Sequence, residues 1–347
     1  MHFNSETTAT TYRAVQASER GKLEMVQRKV EPPPVGKVRI RVEACGICHS
    51  DALTVEGSFH GLKYPRVPGH EVVGRIDALG EGVSGWTLGQ RVGVGFFDGP
   101  CGRCEPCRRG DLVNCQNQGI VGVTNDGGYA EILVAEARCL VRIPESLNSA
   151  EAAPLLCAGI TTYNALRNSH ARPGDLVAIL GVGGLGHLGV QYARKMGFRT
   201  VAIARGAEKE ALAMDLGAHH YIDSRAEDPA AALQALGGAV IILSTVTSAK
   251  AISSVLGGLK TRGRIIVVGA SAEPIEVSTK DLLFGTHSVV GAITGSPVDN
   301  EDTLAFSALQ DIRPMIEVVP LEEAPQAYAK MMENKARFRM VLVTGQQ

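Results

Sequence analysis

A chain of 347 residues is long for one domain and suits two, and its 45% hydrophobic and 20% charged residues are ordinary for compact globular cores. A formal net charge of −1 removes the electrostatic case for binding nucleic acid or an anionic membrane surface. Aromatic residues are scarce at 5% and the 40 glycines many, which fits an α/β protein rich in tight turns.

Met1 to Thr10 is polar and lacks a basic region leading into an apolar run, so it reads as a frayed tail rather than an export signal. No run of about 18 apolar residues follows, so no membrane span is expected and the chain is assigned to the cytoplasm. Pro32, Pro33 and Pro34 form a stiff connector. Lys37 to Val42 alternates charged and apolar residues as a half-buried strand does, and Glu71 to Leu79 and Gln90 to Gly95 look similar. Near residue 150 the character changes. Ser149 is placed to cap a helix, with Glu151 in its first turn; Pro154 interrupts it, and a second helical stretch runs from Cys157 to Arg167. Strands and helices then alternate: strand Leu176 to Leu180, helix Gly184 to Met196, strand Thr200 to Ala204, helix Ala207 to Leu216. Further strands follow at His219 to Asp223, Ala239 to Leu243, Gly263 to Val268 and Ser288 to Ile293. Such alternation predicts a parallel sheet covered on both faces. Ile316 to Pro320 and Arg339 to Val343 read as strands flanking a helix from Leu321 to Glu333, and they are expected to complete the first domain.

Eight cysteines occur, and four of them, Cys101, Cys104, Cys107 and Cys115, lie within fifteen residues. In a large chain without an export signal, such crowding suits a metal better than disulfides. Four thiolates on a loop containing Gly102, Pro106 and Gly110 can close a tetrahedral shell around structural zinc, which then has no open position for chemistry. An iron–sulfur cluster or a nucleic-acid-binding finger are the alternatives, and the near-neutral charge and absent basic helix speak against the finger.

Gly181-Val182-Gly183-Gly184-Leu185-Gly186 follows a strand and opens a helix. The first glycine permits the tight turn, the second lets backbone approach a pyrophosphate, the third allows close packing, and the helix N-terminus attracts the anion. At the end of the next strand, a carboxylate would bind the adenosine ribose and repel a 2′-phosphate. That place is Ala204, followed by Arg205 and Lys209, which favours NADP(H) over NAD(H). Three further segments are scattered: Cys45 to Asp51, Gly69-His70-Glu71, and Leu156 to Gly159. Spacing alone does not join them, and a lone His70 is more often structural than a ligand.

In this order, with the cysteine loop and glycine turn, these segments resemble the zinc-containing medium-chain alcohol dehydrogenases, from about residue 12 onward. The resemblance implies an α/β protein in which a GroES-like, mostly-β catalytic domain carries an inserted Rossmann domain, a doubly wound parallel sheet, with the active site in the cleft between them. The expected limits are 1–155 for the catalytic domain, 156–295 for the cofactor domain and 296–347 for the return. The resemblance further implies one catalytic zinc held by Cys48, His70 and Cys157, with Glu71 beside it as alternative ligand or supporting carboxylate, and one structural zinc on the cysteine loop. Asp51 would orient the ligands and Ser50 would take the alcohol proton. His49 and Arg339, with Arg337 as rival, would lie near the cofactor pyrophosphate, Thr161 behind the nicotinamide, and Val268 among the cofactor contacts. Where many members carry a histidine that passes the proton to solvent, this chain has Leu53, and His60 has no assigned place. Phe59 and Phe96 or Phe97 fall where the family lines its pocket; Cys45, Cys139 and Trp86 read as packing. The activity implied is reversible hydride transfer between a small alcohol, aldehyde or ketone and NAD(P), in a homodimer or homotetramer. A polyol dehydrogenase or cinnamyl-type aldehyde reductase is the alternative. A zinc-free reductase or a non-catalytic relative would have lost a ligand or the glycine turn, and this chain keeps both.

Overall fold

The computed structural model describes residues 10–345; the expected frayed tail lies, apart from Thr10, outside the described residues. The chain forms two units. One comprises residues 1–157, 296–304 and 316–347, the other residues 158–295 and 305–315.

The first unit is mostly β. Strands β1 (Thr11–Glu19) and β2 (Lys22–Lys29) form a hairpin the sequence reading did not anticipate, turning at Gly21 with φ +76°. Its side chains are largely half-exposed, so the apolar alternation that betrays a strand is weak. β3 (Lys37–Gly46) is the centre of the main sheet. It pairs antiparallel with β4 (Glu71–Leu79) along most of its length, and β5 (Arg91–Val94) extends the sheet. β6 (Ile132–Glu136) pairs with the first half of β3, and β7 (Val141–Arg142) closes against β5. The core gathers Ile40, Val42, Ile76, Val92, Tyr129 and Leu133. Cys45 and Cys139 are buried as small apolar groups, and Trp86 packs at the margin with Nε1 donating to the Ala137 carbonyl at 3.0 Å.

The second unit is a six-stranded, all-parallel sheet: β8 (Leu176–Leu180), β9 (Arg199–Ala204), β10 (His220–Asp223), β11 (Ala239–Ser244), β12 (Leu259–Val267) and β13 (Ser288–Gly291). The order β10-β9-β8-β11-β12-β13 is that of the doubly wound dinucleotide-binding sheet. β8 is buried at every position, which is why it reads as a continuous apolar run.

The chain then returns. β14 (Ile316–Pro320) and β15 (Arg339–Val343) run parallel, and β15 pairs antiparallel with Ala44 to Gly46 of β3. Leu321, Tyr328, Met340 and Leu342 belong to the first unit's core. The expected boundaries shift in two places. Cys157 falls with the first unit, and residues 305–315 fall with the second. There Phe306 lies 5.2 Å from the Tyr163 ring and Ser307 meets the Tyr192 hydroxyl at 2.7 Å.

Two local expectations also change. The helix Ser149–Pro154 is capped by Asn148, whose side chain accepts the Glu151 N–H at 2.8 Å, while Ser149 sits one place inside and donates to Glu43. Pro154 does not break the helix. A widened, π-type turn, Leu155–Gly159, follows it and leads into the helix Ile160–Arg167. Among the described residues no helix is long and apolar enough to cross a membrane.

Candidate active site and metal centres

Cys48, His70, Glu71 and Cys157 come from three elements. β3 ends at Gly46, and Cys48 precedes a short 3-10 turn, His49–Asp51, whose Asp51 carboxylate accepts the Cys48 N–H at 2.9 Å. His70 immediately precedes β4 and Glu71 opens it, after Gly69, where φ is +102° and a Cβ would lie 2.5 Å from the Tyr129 ring. Only glycine fits there. Cys157 sits on the widened turn, an irregularity that helices often place at functional sites. Gly46 faces Glu71 across the sheet, and a Cβ on it would strike the Glu71 carboxylate, so the glycine leaves room for that side chain.

The four residues each offer a donor atom within 4.8 Å of the others, and all four are buried. The Cys48 and Cys157 sulfurs are 3.8 Å apart. His70 Nδ1 lies 3.1 Å from Asp51 Oδ1, and the Tyr129 hydroxyl donates to Asp51 Oδ2 at 2.8 Å. The carboxylate can only accept, so Nδ1 donates to it and Nε2 is the nitrogen left facing the other donors. Nε2 and Glu71 Oε2 have no hydrogen-bond partner although both are buried. Each orphaned atom costs about 1–3 kcal/mol unless something meets it.

The electrostatics point to a cation. The Cys157 thiol donates to Cys48, holding the Cys48 pKa well below the ordinary thiol value and raising that of Cys157. Burial works to lower the His70 pKa, but the Asp51 carboxylate and Cys48 outweigh it and hold it well above normal. Burial pushes Glu71 up to about 7 even with Arg339 beside it. Arg339, expected near a pyrophosphate, is buried in this first unit with its guanidinium on Glu71; Arg337 is exposed, its N–H donating to Glu317 at 2.7 Å. Two sulfurs, one imidazole nitrogen and an adjacent carboxylate fit a zinc ion with room for one exogenous oxygen.

The second group is Cys101, Cys104, Cys107 and Cys115, whose sulfurs also lie within 4.8 Å of one another. Gly102 and Gly110 turn the loop at φ +73° and +85°, and Cys104 precedes the short helix Glu105–Arg108. The Cys101 N–H donates to Cys115 Sγ at 3.3 Å and the Asn117 N–H does so at 3.4 Å. Backbone N–H groups of Arg103 and Cys104 lower the Cys101 thiol to about 5. Donors aimed at thiolates are what a four-sulfur metal shell requires. Cys104→Ser is expected to lower the thermal midpoint and remove metal from this loop while leaving kcat within about threefold, checked by zinc content and melting curves; an unchanged melt would count against a structural ion there.

In the second unit, Gly181 turns at φ +95° after β8, and a Cβ on Gly186 would lie 1.7 Å from the Gly181 carbonyl oxygen. Nothing lies within 4 Å of a Cβ on Gly183, leaving its backbone open to an approaching group. Gly184 and Leu185 continue into the helix Gly186–Lys195. Ala204 is buried at the end of β9, Arg205 is exposed, and Lys209 Nζ donates to the Val182 carbonyl at 3.1 Å, lying over the glycine turn. Val268 follows β12 with its N–H on Ser244, and Thr161 is buried in the helix Ile160–Arg167. His49 is exposed and Ser50 half-buried on the turn after Cys48; Leu53 is half-buried and His60 exposed.

Phe96 meets the His70 ring edge-on at 5.0 Å and Phe97 meets Phe96 edge-on at 5.1 Å, while Phe59 is half-buried elsewhere in the unit. Sequence reasoning missed Tyr129, which holds Asp51 from 78 residues away, and the Glu71–Arg339 pair, 268 residues apart; no local signal marks either.

Residues 34–145 match the family described as alcohol dehydrogenase GroES-like domain, and residues 184–309 match the zinc-binding dehydrogenase family. The alcohol dehydrogenase patD of Penicillium expansum is 41% identical, with 97% of this chain and 99% of that one covered. The chain belongs to the zinc-containing medium-chain alcohol dehydrogenases. This alcohol dehydrogenase is 35% identical to the NADP-dependent alcohol dehydrogenase C 1 of Mycolicibacterium smegmatis, over 97% and 98% of the two chains. It is also similar to the solved cinnamyl alcohol dehydrogenase of Sorghum bicolor, at 32% identity and TM-score 0.88, covering 97% and 99%. It is an oxidoreductase with a GroES-like domain and a Rossmann cofactor domain, it uses zinc and NAD(P), and it acts on a small molecule.

Proposed function

We propose that this alcohol dehydrogenase holds two zinc ions per chain, prefers NADP(H), and interconverts apolar or aromatic alcohols with their aldehydes or ketones. The observation that carries the catalytic ion is the cluster itself: four donor atoms within 4.8 Å, with His70 Nε2 and Glu71 Oε2 left bare. Cys48, His70 and Cys157 would hold the ion, with Glu71 poised beside it. When bound, zinc supplies Lewis-acid polarisation of the substrate oxygen. The dinucleotide supplies the hydride acceptor or donor.

The chain's own residues do the rest. Asp51, fixed by Tyr129 and the Cys48 N–H, holds the His70 ring in one tautomer and one orientation. Ser50, on the turn after Cys48, takes the alcohol proton at its hydroxyl. With Leu53 where a histidine would continue the path, the onward route of that proton runs through water or another group than the family's histidine. Phe96 and Phe97 wall the His70 side with apolar surface, which favours an aromatic or alkyl group on the substrate and supports a cinnamyl-type aldehyde reductase within the same mechanism.

For the cofactor, Gly181, Gly183, Gly184, Leu185 and Gly186 would cradle the pyrophosphate, with Thr161 and Val268 in the same unit as further contacts. Ala204 leaves the adenosine site without a carboxylate, and Arg205 and Lys209 supply cations for a 2′-phosphate. Ala204→Asp is expected to shift the kcat/KM ratio of NADP(H) to NAD(H) by about tenfold or more toward NAD(H), measured with both dinucleotides. An unchanged ratio would refute this reading of the loop.

The protein works in the cytoplasm, consistent with eight free thiols, and assembles as a homodimer or homotetramer. β13 is the outer strand of the parallel sheet, and exposed Leu283, Phe284 and Ile293 flank it in sequence, apolar surface suited to a second copy. The function is tested by initial rates over primary, secondary and aromatic alcohols and aldehydes with each dinucleotide, before and after chelation. No turnover of any member by the zinc-loaded protein would overturn it.

A further inference from the structure

The helix that follows the glycine turn carries a buried histidine that the reaction does not call for. His187 is 0% exposed. Its Nε2 lies 3.1 Å from the backbone nitrogen of Met315, and its Nδ1 lies 2.9 Å from the carbonyl oxygen of Gly183. A backbone N–H can only donate, so Nε2 is the acceptor and the ring proton sits on Nδ1. That proton is donated to Gly183. One turn further along the same helix, the Gln191 amide donates to the Arg313 carbonyl at 3.0 Å and accepts the Arg313 N–H at 3.3 Å. Residues 313–315 are therefore strapped to the helix, and the strap fixes the His187 ring in both position and tautomer.

The Gly183 carbonyl also accepts the backbone N–H of His187 at 3.0 Å, so both of its acceptor directions are engaged from the helix side. The peptide joining Gly183 to Gly184 is trans, so its N–H points opposite to its carbonyl. With the oxygen anchored toward the helix, the Gly184 N–H is aimed away from it, and no atom lies within 4 Å of the place a Cβ would take on Gly183. We propose that His187 is a positioning residue for the dinucleotide. Its Nδ1–H locks the Gly183–Gly184 peptide so that the Gly184 N–H presents to the pyrophosphate. Without this bond the peptide is held by the His187 backbone N–H alone, and glycine, which tolerates both signs of φ, adds little resistance of its own to reorientation.

The inference rests on the reading that the glycine turn takes the pyrophosphate, and two substitutions separate the pair of contacts. In His187→Asn the side-chain amide reproduces Nδ1 and keeps the donor to Gly183. In His187→Gln the longer side chain reproduces Nε2 and keeps the partner of Met315. Binding of the reduced dinucleotide is titrated through its nicotinamide fluorescence, without turnover, alongside thermal midpoints and the separate KM values for dinucleotide and alcohol. The expected result is His187→Asn within about twofold of wild type and His187→Gln about tenfold weaker, the weight of one buried hydrogen bond. The alcohol KM should stay within about twofold for both. Equal affinities for the two variants, or losses that simply follow the thermal midpoints, would overturn the proposal. Should the glutamine variant not fold, the asparagine variant decides alone: near-wild-type affinity supports the proposal and a tenfold loss overturns it. Wild-type protein that binds neither dinucleotide would remove the glycine-turn reading itself, a result distinct from any variant effect.

Discussion

His70→Ala, and separately Cys48→Ala, is expected to lower turnover by roughly a thousandfold or more and to remove one metal ion per chain. A metal ion that stabilises developing charge on a substrate oxygen contributes several kcal/mol, and about 4 kcal/mol corresponds to three orders of magnitude. The fold should survive. After His70 is removed, the Asp51 carboxylate still accepts from Tyr129 and from the Cys48 N–H, so no new buried charge is stranded without partners. The check is kcat with zinc content and circular dichroism on the same preparations. Near-normal rates from either variant would take down the metal assignment.

Arg339→Met is expected to cost stability instead, by about 3–5 kcal/mol. Glu71 is 0% exposed and Arg339 4%, and the guanidinium is the partner the Glu71 carboxylate has at Oε1. Removing one member of a buried pair leaves the other charge uncompensated, whereas removing both is nearly neutral. The double variant Arg339→Met with Glu71→Gln should therefore recover most of the loss. Urea unfolding of the two single variants and the double one, each with and without chelator, gives the coupling energy. A coupling under about 1 kcal/mol would show that the pair does not tie together the two strands flanking β3.

The parallel sheet was legible because its strands are buried on both faces. Leu176–Leu180 and Ala239–Ser244 are nearly continuous apolar runs, and the glycine turn follows the first of them at fixed spacing. The four-cysteine loop was legible because its ligands are close in sequence. The second donor group was not, since Cys48, His70 and Cys157 span more than a hundred residues, and only likeness to a known family grouped them. What no local pattern announced were features set by packing at a distance. Tyr129 reads as one aromatic in a glycine-rich stretch, and its hydroxyl acquires meaning only where the loop passes Asp51. The widened turn at Leu155–Gly159 carries no local signature, and Pro154 before it suggested a break.

The first unit's sheet is completed by strands from the last thirty or so residues described, with β15 lying against β3 and Arg339 meeting Glu71. During synthesis, therefore, the ribosome delivers the His70 and Cys48 segments long before the strand that seals their neighbourhood. The parallel-sheet unit, nearly contiguous from residue 158 to 295, can close while its predecessor waits. From residue 157 until β15 is made, a nascent chain thus carries the Cys48 and Cys157 thiols unsealed, and oxidation or mismetallation would fall hardest in that interval.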